Sequence, residues 1–281
     1  MNRLGIERLS VFSMPPVEFV QLAADLDCGW VGMGLAPSGR FNPHGYRDWS
    51  LRDDAALRRE TRAALSDLDV RVGILEGFAV APGQDPHAFE RDLDLLLELG
   101  GNRINVVSLD KDLQRTIEGF AVFAEMASKR GLQVSAEMGS LGPLSKIEAA
   151  LAAVNGVGRD NFTLLIDAMH FFRLGNTLDQ LAAVPGPVIG YAQLCDAPWT
   201  PRFATYLEEA MYERLAPGDG ELPLDEFVRY LPPDIIVSLE IPMRSLAEKG
   251  VGPRERLESS VAAARSFLQR QDARRASPNV D

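Results

Sequence analysis

Asn161 to Gly175 reads NFTLLIDAMHFFRLG. An apolar run follows the polar triplet Arg159-Asp160-Asn161, stops at Asp167, and is followed three residues later by His170. A continuous apolar run of strand length between polar residues reads as a strand buried on both faces, as in a parallel sheet. An ionised carboxylate at the end of such a strand must be paired, hydrogen-bonded or metal-bound. Asp167 is therefore either a structural anchor or a ligand, and the rest of the chain has to decide which.

Outward from this stretch the same pattern repeats. Leu9–Phe12, Trp30–Leu35, Val70–Leu75, Arg103–Val107, Leu132–Ala136, Pro187–Leu194 and Ile235–Leu239 read as further strands. Between and after them, helical spacing of apolar residues covers 15–26, about 50–68, 86–99, 113–130, 144–154, 178–184, 224–231 and 253–270, with Gly100-Gly101 and Gly131 as stop signals. Eight strands alternating with eight helices, joined by short connections, predict an α/β fold of the (β/α)8 TIM barrel type. One domain over 1–270 is expected, with 271–281 as a polar C-terminal tail. A doubly wound sheet is the alternative, but the first strand–helix turn lacks the Gly-rich phosphate fingerprint that fold uses for a dinucleotide. The chain also has no P-loop, no Gly-x-Ser-x-Gly elbow and no Cys-x-x-Cys pair.

Bulk properties narrow the partners. The 281 residues carry a net charge of -11 and a pI near 4.9, which disfavours nucleic acid and anionic membranes, since both need a concentrated basic face. Only Cys28 and Cys195 occur, so a reducing compartment is expected rather than a disulfide framework. The N-terminus lacks a basic region followed by a sustained apolar segment, and no window reaches the roughly 18 apolar residues of a membrane span. A cytoplasmic protein with a small-molecule substrate is expected, and oligomerisation is left open.

In a barrel the rim at the C-terminal strand ends carries catalysis. Strands five to eight end at Glu137, Asp167, Gln193 and Glu240. Three carboxylates and an amide are hard oxygen donors that suit one divalent ion, Mn2+ or Mg2+ first, with Co2+ or Zn2+ also admissible. Without a cation, three carboxylates on one rim would repel and raise a pKa, unless hydrogen bonds hold them as a polar cluster. A chelated carbonyl would acidify the adjacent C–H for removal by a carboxylate, and a cation such as Arg214 would hold the resulting enediolate. Reprotonation then gives isomerisation or epimerisation, and loss of a β-hydroxyl gives dehydration.

Glu137 in VSAEMG, Asp167 and His170 in LLIDAMH, Gln193 and Asp196 in YAQLCDAP, Arg214 to Gly220 in RLAPGDG, and Glu240 in VSLEIP resemble, in order and spacing, the xylose-isomerase-like TIM barrels. That superfamily includes sugar and sugar-phosphate isomerases and epimerases, inosose dehydratases and 3-dehydroshikimate dehydratases. The resemblance runs from Leu9 to about Leu268. It implies a single divalent metal on Glu137, Asp167, Gln193 and Glu240, with Gln193 standing where the family usually has His. It implies Glu137 and Glu240 as the acid/base pair, and His170 and Arg214 as contacts to substrate oxygens. The expected function is a metal-dependent isomerase or epimerase of a small polyhydroxy carbonyl compound. The alternative is a dehydratase of a 3-dehydroshikimate-like or inosose-like ring, which the wording around Gln193 resembles more closely. Related barrels also include a zinc endonuclease, but three His and an acidic surface speak against it.

Glu76, at the end of the third strand, is a further pocket candidate, and Trp199 is the expected lid residue. Asp196 is expected to brace a ligand. Asn105 is a weaker candidate. His44, His87, Arg202 and Arg244 read as surface or loop residues.

Overall fold

The computed structural model of the chain describes residues 2–276 except 38 and 40. Its strands β1 (Leu4–Glu7), β2 (Trp30–Met33), β3 (Arg71–Val80), β4 (Arg103–Ser108), β5 (Gln133–Glu137), β6 (Phe162–Asp167), β7 (Ile189–Leu194) and β8 (Ile236–Leu239) pair in chain order. All pairs are parallel, and β8 returns to β1, so the sheet closes into the expected barrel. The connecting helices include α1 (Pro16–Asp25), α2 (Ala55–Asp67), α3 (Glu90–Glu98), α4 (Leu113–Ser128) and α5 (Ile147–Val157). No described helix is long and apolar enough to cross a membrane.

The main core lies between barrel and helices. Leu93 and Leu96 of α3 and Phe120 and Phe123 of α4 are fully buried there, and each such side chain contributes about 1.5–3 kcal/mol by leaving water. A second, small cluster of Ile74, Leu165 and Tyr191, drawn from β3, β6 and β7, stands apart from that core. The helix ends are fixed by short polar side chains. Asp54 caps α2 through the amides of Ala56 and Leu57, and Asp112 caps α4 through that of Arg115.

Several boundaries differ from the sequence reading. The first strand is Leu4–Glu7, and the apolar Leu9–Phe12 lies largely in a 3-10 turn over Arg8–Val11, because Glu7 is a wholly buried strand residue. Strand β3 continues through Glu76 by a bulge between Leu75 and Phe78, where Gly77 adopts φ 108. Helices α6 (Ala168–Arg173) and α7 (Leu178–Ala182) follow β6, and α8 (Tyr206–Tyr212) lies within what reads as a long loop after β7. After α9 (Leu224–Tyr230) and β8 come the short α10 (Arg244–Glu248) and α11 (Pro253–Ala276). The tail expected from 271 is helical to Ala276, with Gln271 buried and bonded to the Asp225 carbonyl. Residues 277–281 and Arg40 lie outside the described residues.

Candidate active site

The C-terminal strand ends deliver Glu137, Asp167, Gln193 and Glu240 to one rim, and β6–β7 pairing sets Asp167 directly beside Gln193. Between them stands Arg214, its side chain 1% exposed. One guanidinium nitrogen lies 2.8 Å from Asp167 Oδ2, and the other lies 2.8 Å from Glu240 Oε2. Its Nε donates to the Ala210 carbonyl at 2.8 Å. The segment is fixed by β-bridges of Glu213 to Met243 and of Leu215 to Asp196 on either side of Arg214. Burial raises the Glu240 carboxyl pKa; the Arg214 guanidinium opposes this, while the charges of Glu137, Glu76 and Asp167 reinforce it. Asp167 spends its other oxygen on the His170 amide at 2.8 Å, capping α6.

Above this ion cluster lies a cavity of about 340 Å3. Arg8, Glu76, Asn105, Glu137, His170, Tyr206, Arg214 and Glu240 supply its polar lining, and Leu9, Phe78, Val107, Leu141, Leu144, Leu207 and Met211 its apolar walls. Asn105 Nδ2 bonds Glu137 Oε2 at 2.5 Å, and His170 Nε2 approaches Glu137 Oε1 to 3.4 Å. His170 Nδ1 lies 2.6 Å from the Tyr206 hydroxyl. A neutral ring with its hydrogen on Nε2 would turn that hydrogen toward the Glu137 carboxylate, which only accepts, and leave Nδ1 to accept from Tyr206. Glu137 is thereby held by an amide on one side and faced by an imidazole on the other.

Glu76 faces the same cavity and pairs with Arg8, whose Nε lies 2.7 Å from Glu76 Oε2. Beneath them Glu7 is fully buried and accepts from the Tyr191 hydroxyl at 2.7 Å. The end of β2 and the residue following it make room for both β1-end side chains by having no side chain of their own there. A Cβ on Gly32 would lie 1.5 Å from Glu7 Oε2, and one on Gly34 would lie 1.8 Å from Arg8 Nη1.

The predicted site residues therefore divide. Glu76, Glu137, His170, Arg214 and Glu240 line the cavity, while Asp167 and Gln193 are wholly buried and are not among its lining residues. Trp199 is not at the cavity: it is 53% exposed, and its ring packs on the edge of Phe172. The covering element is α8, which supplies Tyr206, Leu207, Ala210 and Met211. Asp196 braces no ligand; it accepts from the amides of Ala197, Gly218 and Leu222, which ties down the RLAPGDG loop. His87 is an exposed partner of Glu90, and Arg244 stacks over Tyr212 and Phe41. Sequence reasoning missed Glu7, Arg8 and Tyr206. The Gly32-x-Gly34 spacing across the end of β2 and the Thr205-x-x-Glu208 capping signature were the available signals, and Thr205 does cap α8.

The donor set fits a divalent cation in kind. Gln193 Oε1 is a buried acceptor without a donor, and Asp167 and Glu240 already converge on one cation, the guanidinium. Among the described residues, however, no group of three or more Asp, Glu, His or Cys side chains is arranged to hold a metal.

Residues 20–270 match the family model of the xylose isomerase-like TIM barrel. A 3-dehydroshikimate dehydratase of Pseudomonas putida is 24% identical over 187 residues, covering 62% of this chain and 29% of that protein. One of Pseudomonas aeruginosa is 27% identical over 190 residues, covering 60% and 28%. The chain thus spans less than a third of the length of the curated relatives it matches. Among solved structures, a xylose isomerase-like TIM barrel/4-hydroxyphenylpyruvate dioxygenase fusion protein superposes with a TM-score of 0.78 at 19% identity, covering 99% of this chain and 44% of that one. The IOLI protein with a bound zinc atom gives 0.74 at 16% identity, covering 97% and 98%. At these identities the structural likeness is one of fold.

Proposed function

The chain belongs to the xylose isomerase-like TIM barrel family, and from that premise we propose that it is a hydro-lyase removing water from a 3-dehydroshikimate-like cyclic hydroxy acid. The observation that carries this over isomerase or epimerase chemistry is the Arg214–Glu240 ion pair. Epimerisation by two carboxylates needs both Glu137 and Glu240 free to exchange protons with the substrate. Both Glu240 oxygens are taken, Oε2 by the buried Arg214 guanidinium at 2.8 Å and Oε1 by the Gln193 amide at 3.3 Å, whereas Glu76 keeps Oε1 clear of its Arg8 partner. Dehydration needs one base at the carbon beside a carbonyl and one acid at the leaving oxygen. Glu137 and Glu76, on separate strands of the cavity wall, supply that pair. The two relatives named for this reaction and the Gln193 departure support the same reading.

Glu137, oriented by Asn105, takes the proton from the carbon next to the carbonyl. His170 Nε2–H and the Arg214 guanidinium face the oxygen on which negative charge then collects. The C–O bond breaks, its electron pair leaves with the oxygen, and a proton from the β3 wall converts that oxygen to water. The apolar residues of α8 shield the ring from solvent, which strengthens each of these charge contacts. A divalent ion, if held by Glu137, Asp167, Gln193 Oε1 and Glu240, would polarise the carbonyl and acidify its neighbouring C–H.

Incubation of the full chain with 3-dehydroshikimate, with Mn2+ or Mg2+ supplied, is expected to release an enone or aromatic product detectable by ultraviolet absorbance, and Glu137→Gln is expected to abolish it. Exchange of the proton beside the carbonyl in D2O without loss of water, on ketoses or inososes, would move the reading to an isomerase or epimerase.

A further inference from the structure

Two carboxyls near the cavity floor each keep one oxygen that nothing donates to. Glu7 Oε1 takes the Tyr191 hydroxyl and Glu76 Oε2 takes Arg8, which leaves Glu7 Oε2 and Glu76 Oε1 buried and without a donor. Arg8, next in the chain to Glu7, holds Glu76 at 2.7 Å, and the Glu7 carboxyl lies over Gly32 of β2, the strand between β1 and β3, so the two carboxyls are neighbours that act on each other by charge and hydrogen bonding. Two adjacent buried acceptors with no donor between them would each carry the full desolvation penalty of an unsatisfied group, on the order of 1–3 kcal/mol. A single proton between them satisfies both.

We propose that Glu7 and Glu76 share one proton at the floor of the cavity, Glu7 carrying it at rest and Glu76 passing it to the oxygen that leaves the substrate. The identity of the acceptor rests on the dehydratase reading; the shared proton does not. In one turnover Glu137 gains the proton from the substrate carbon, and the departing oxygen takes the pair's one proton, which moves from Glu7 to Glu76 and on to that oxygen as the C–O bond breaks. Exchange with solvent then removes the proton from Glu137 and restores one to the pair, so no other reactant is needed.

The surroundings suit this role. Burial first, then the Glu76 charge and the hydrogen bond to it, then the Glu240 charge, hold the Glu7 carboxyl well above its usual range, and only Tyr191 pulls it down. The charged and titratable groups facing the pair are Tyr191 from β7, Glu240 after β8, and Arg8, which holds Glu76 from the β1 end. Gly32 contributes no side chain, so the path between β1 and β3 stays clear. Glu76 alone of the pair lines the cavity, so it is the catalytic member and Glu7 acts through it.

The test has a readout that needs no substrate. Infrared difference spectra of the full chain against Glu7→Gln near neutral pH are expected to show one protonated-carboxyl C=O stretch that the variant lacks, and in Glu76→Gln the same band should shift as its partner changes. Absence of the band in the unaltered protein would overturn the shared proton, and the shift in Glu76→Gln decides the matter if Glu7→Gln does not fold. With 3-dehydroshikimate as the probe, Glu76→Gln is expected to lower kcat by about 10²–10⁴-fold with KM little changed, the usual contribution of a positioned acid. Glu7→Gln should move the alkaline limb of the kcat profile to lower pH, which a purely structural role would not do. Full activity in Glu76→Gln would overturn the transfer step. No turnover by the unaltered protein would remove the dehydratase reading and with it this acceptor, and the infrared band would still decide the pair.

Discussion

Replacing Arg214 by Met isolates the ion cluster on which the site is built. The guanidinium is 1% exposed and touches two carboxylates at 2.8 Å each, with Asp167 fully buried and Glu240 nearly so. Removing one partner of a buried pair costs about 3–5 kcal/mol, because the charge left behind can neither reach water nor find a new counter-ion. Two carboxylates are stranded here, but protonation of one relieves their mutual repulsion, so the same range of about 3–5 kcal/mol is expected rather than its double. Against a total stability of about 5–15 kcal/mol this is a large fraction.

Urea unfolding of both proteins in a chelator gives the first number, and the same titration in excess Mn2+ gives the second. The variant leaves Asp167, Glu240 and Gln193 Oε1 with no competing cation, so Mn2+ is expected to restore most of the loss. The unaltered protein must first expel its own guanidinium and should gain less, each tenfold difference in metal affinity appearing as about 1.4 kcal/mol. A metal-free loss below about 1 kcal/mol would refute the charge reasoning, since that is the size of an exposed pair. Equal metal stabilisation of both proteins would refute the competition between guanidinium and metal.

Other outcomes follow from the same geometry. Tyr206→Phe removes the hydroxyl that His170 Nδ1 accepts from; a net hydrogen bond of about 1 kcal/mol predicts a five- to tenfold lower kcat, and nitrogen NMR should show the ring losing its single tautomer. The folded-state pKa of Glu7 is raised, so its contribution to stability is complete below the unfolded carboxyl value and is lost as pH rises through the folded value. Over that window the unaltered protein should lose up to about 1.4 kcal/mol per pH unit relative to Glu7→Gln, and parallel pH–stability curves would remove the shift. Gly32→Ala drives a Cβ into Glu7 Oε2 and should cost about 1–3 kcal/mol, with Glu7→Ala in the same chain recovering part of it in chemical denaturation. Trp199→Ala, on an exposed ring away from the cavity, should leave kcat and KM unchanged; a loss of activity would return the residue to the lid.

The barrel was legible because its signal is local. Each strand buried on both faces shows as an apolar run such as Phe162–Ile166, and each helix as an apolar stripe, so seven of the eight strands fall where their runs predict. The first strand failed for a physical reason. Glu7 sits in the barrel with its carboxyl hydrogen-bonded, so Leu4–Glu7 carries no clean apolar run, whereas the neighbouring Leu9 and Val11 are buried from a 3-10 turn and resemble one. Burial alone does not distinguish strand from turn over four residues.

The rim shows the same limit from another side. Strand-end position told that Glu137, Asp167, Gln193 and Glu240 share one face, because parallel pairing fixes where a strand ends relative to its neighbours. It could not tell which cation they face. Arg214 arrives from a segment beyond α8 through bridges between Glu213 and Met243 and between Asp196 and Leu215, long-range pairings with no periodic trace. The same holds for Glu7 and Tyr191, which meet across 184 positions of sequence. What the sequence does record is the space such contacts need. Gly32 and Gly34 lack side chains where Glu7 and Arg8 must pass, so a glycine pair at the end of a barrel strand points to a polar crossing behind it even when the crossing residues cannot yet be named.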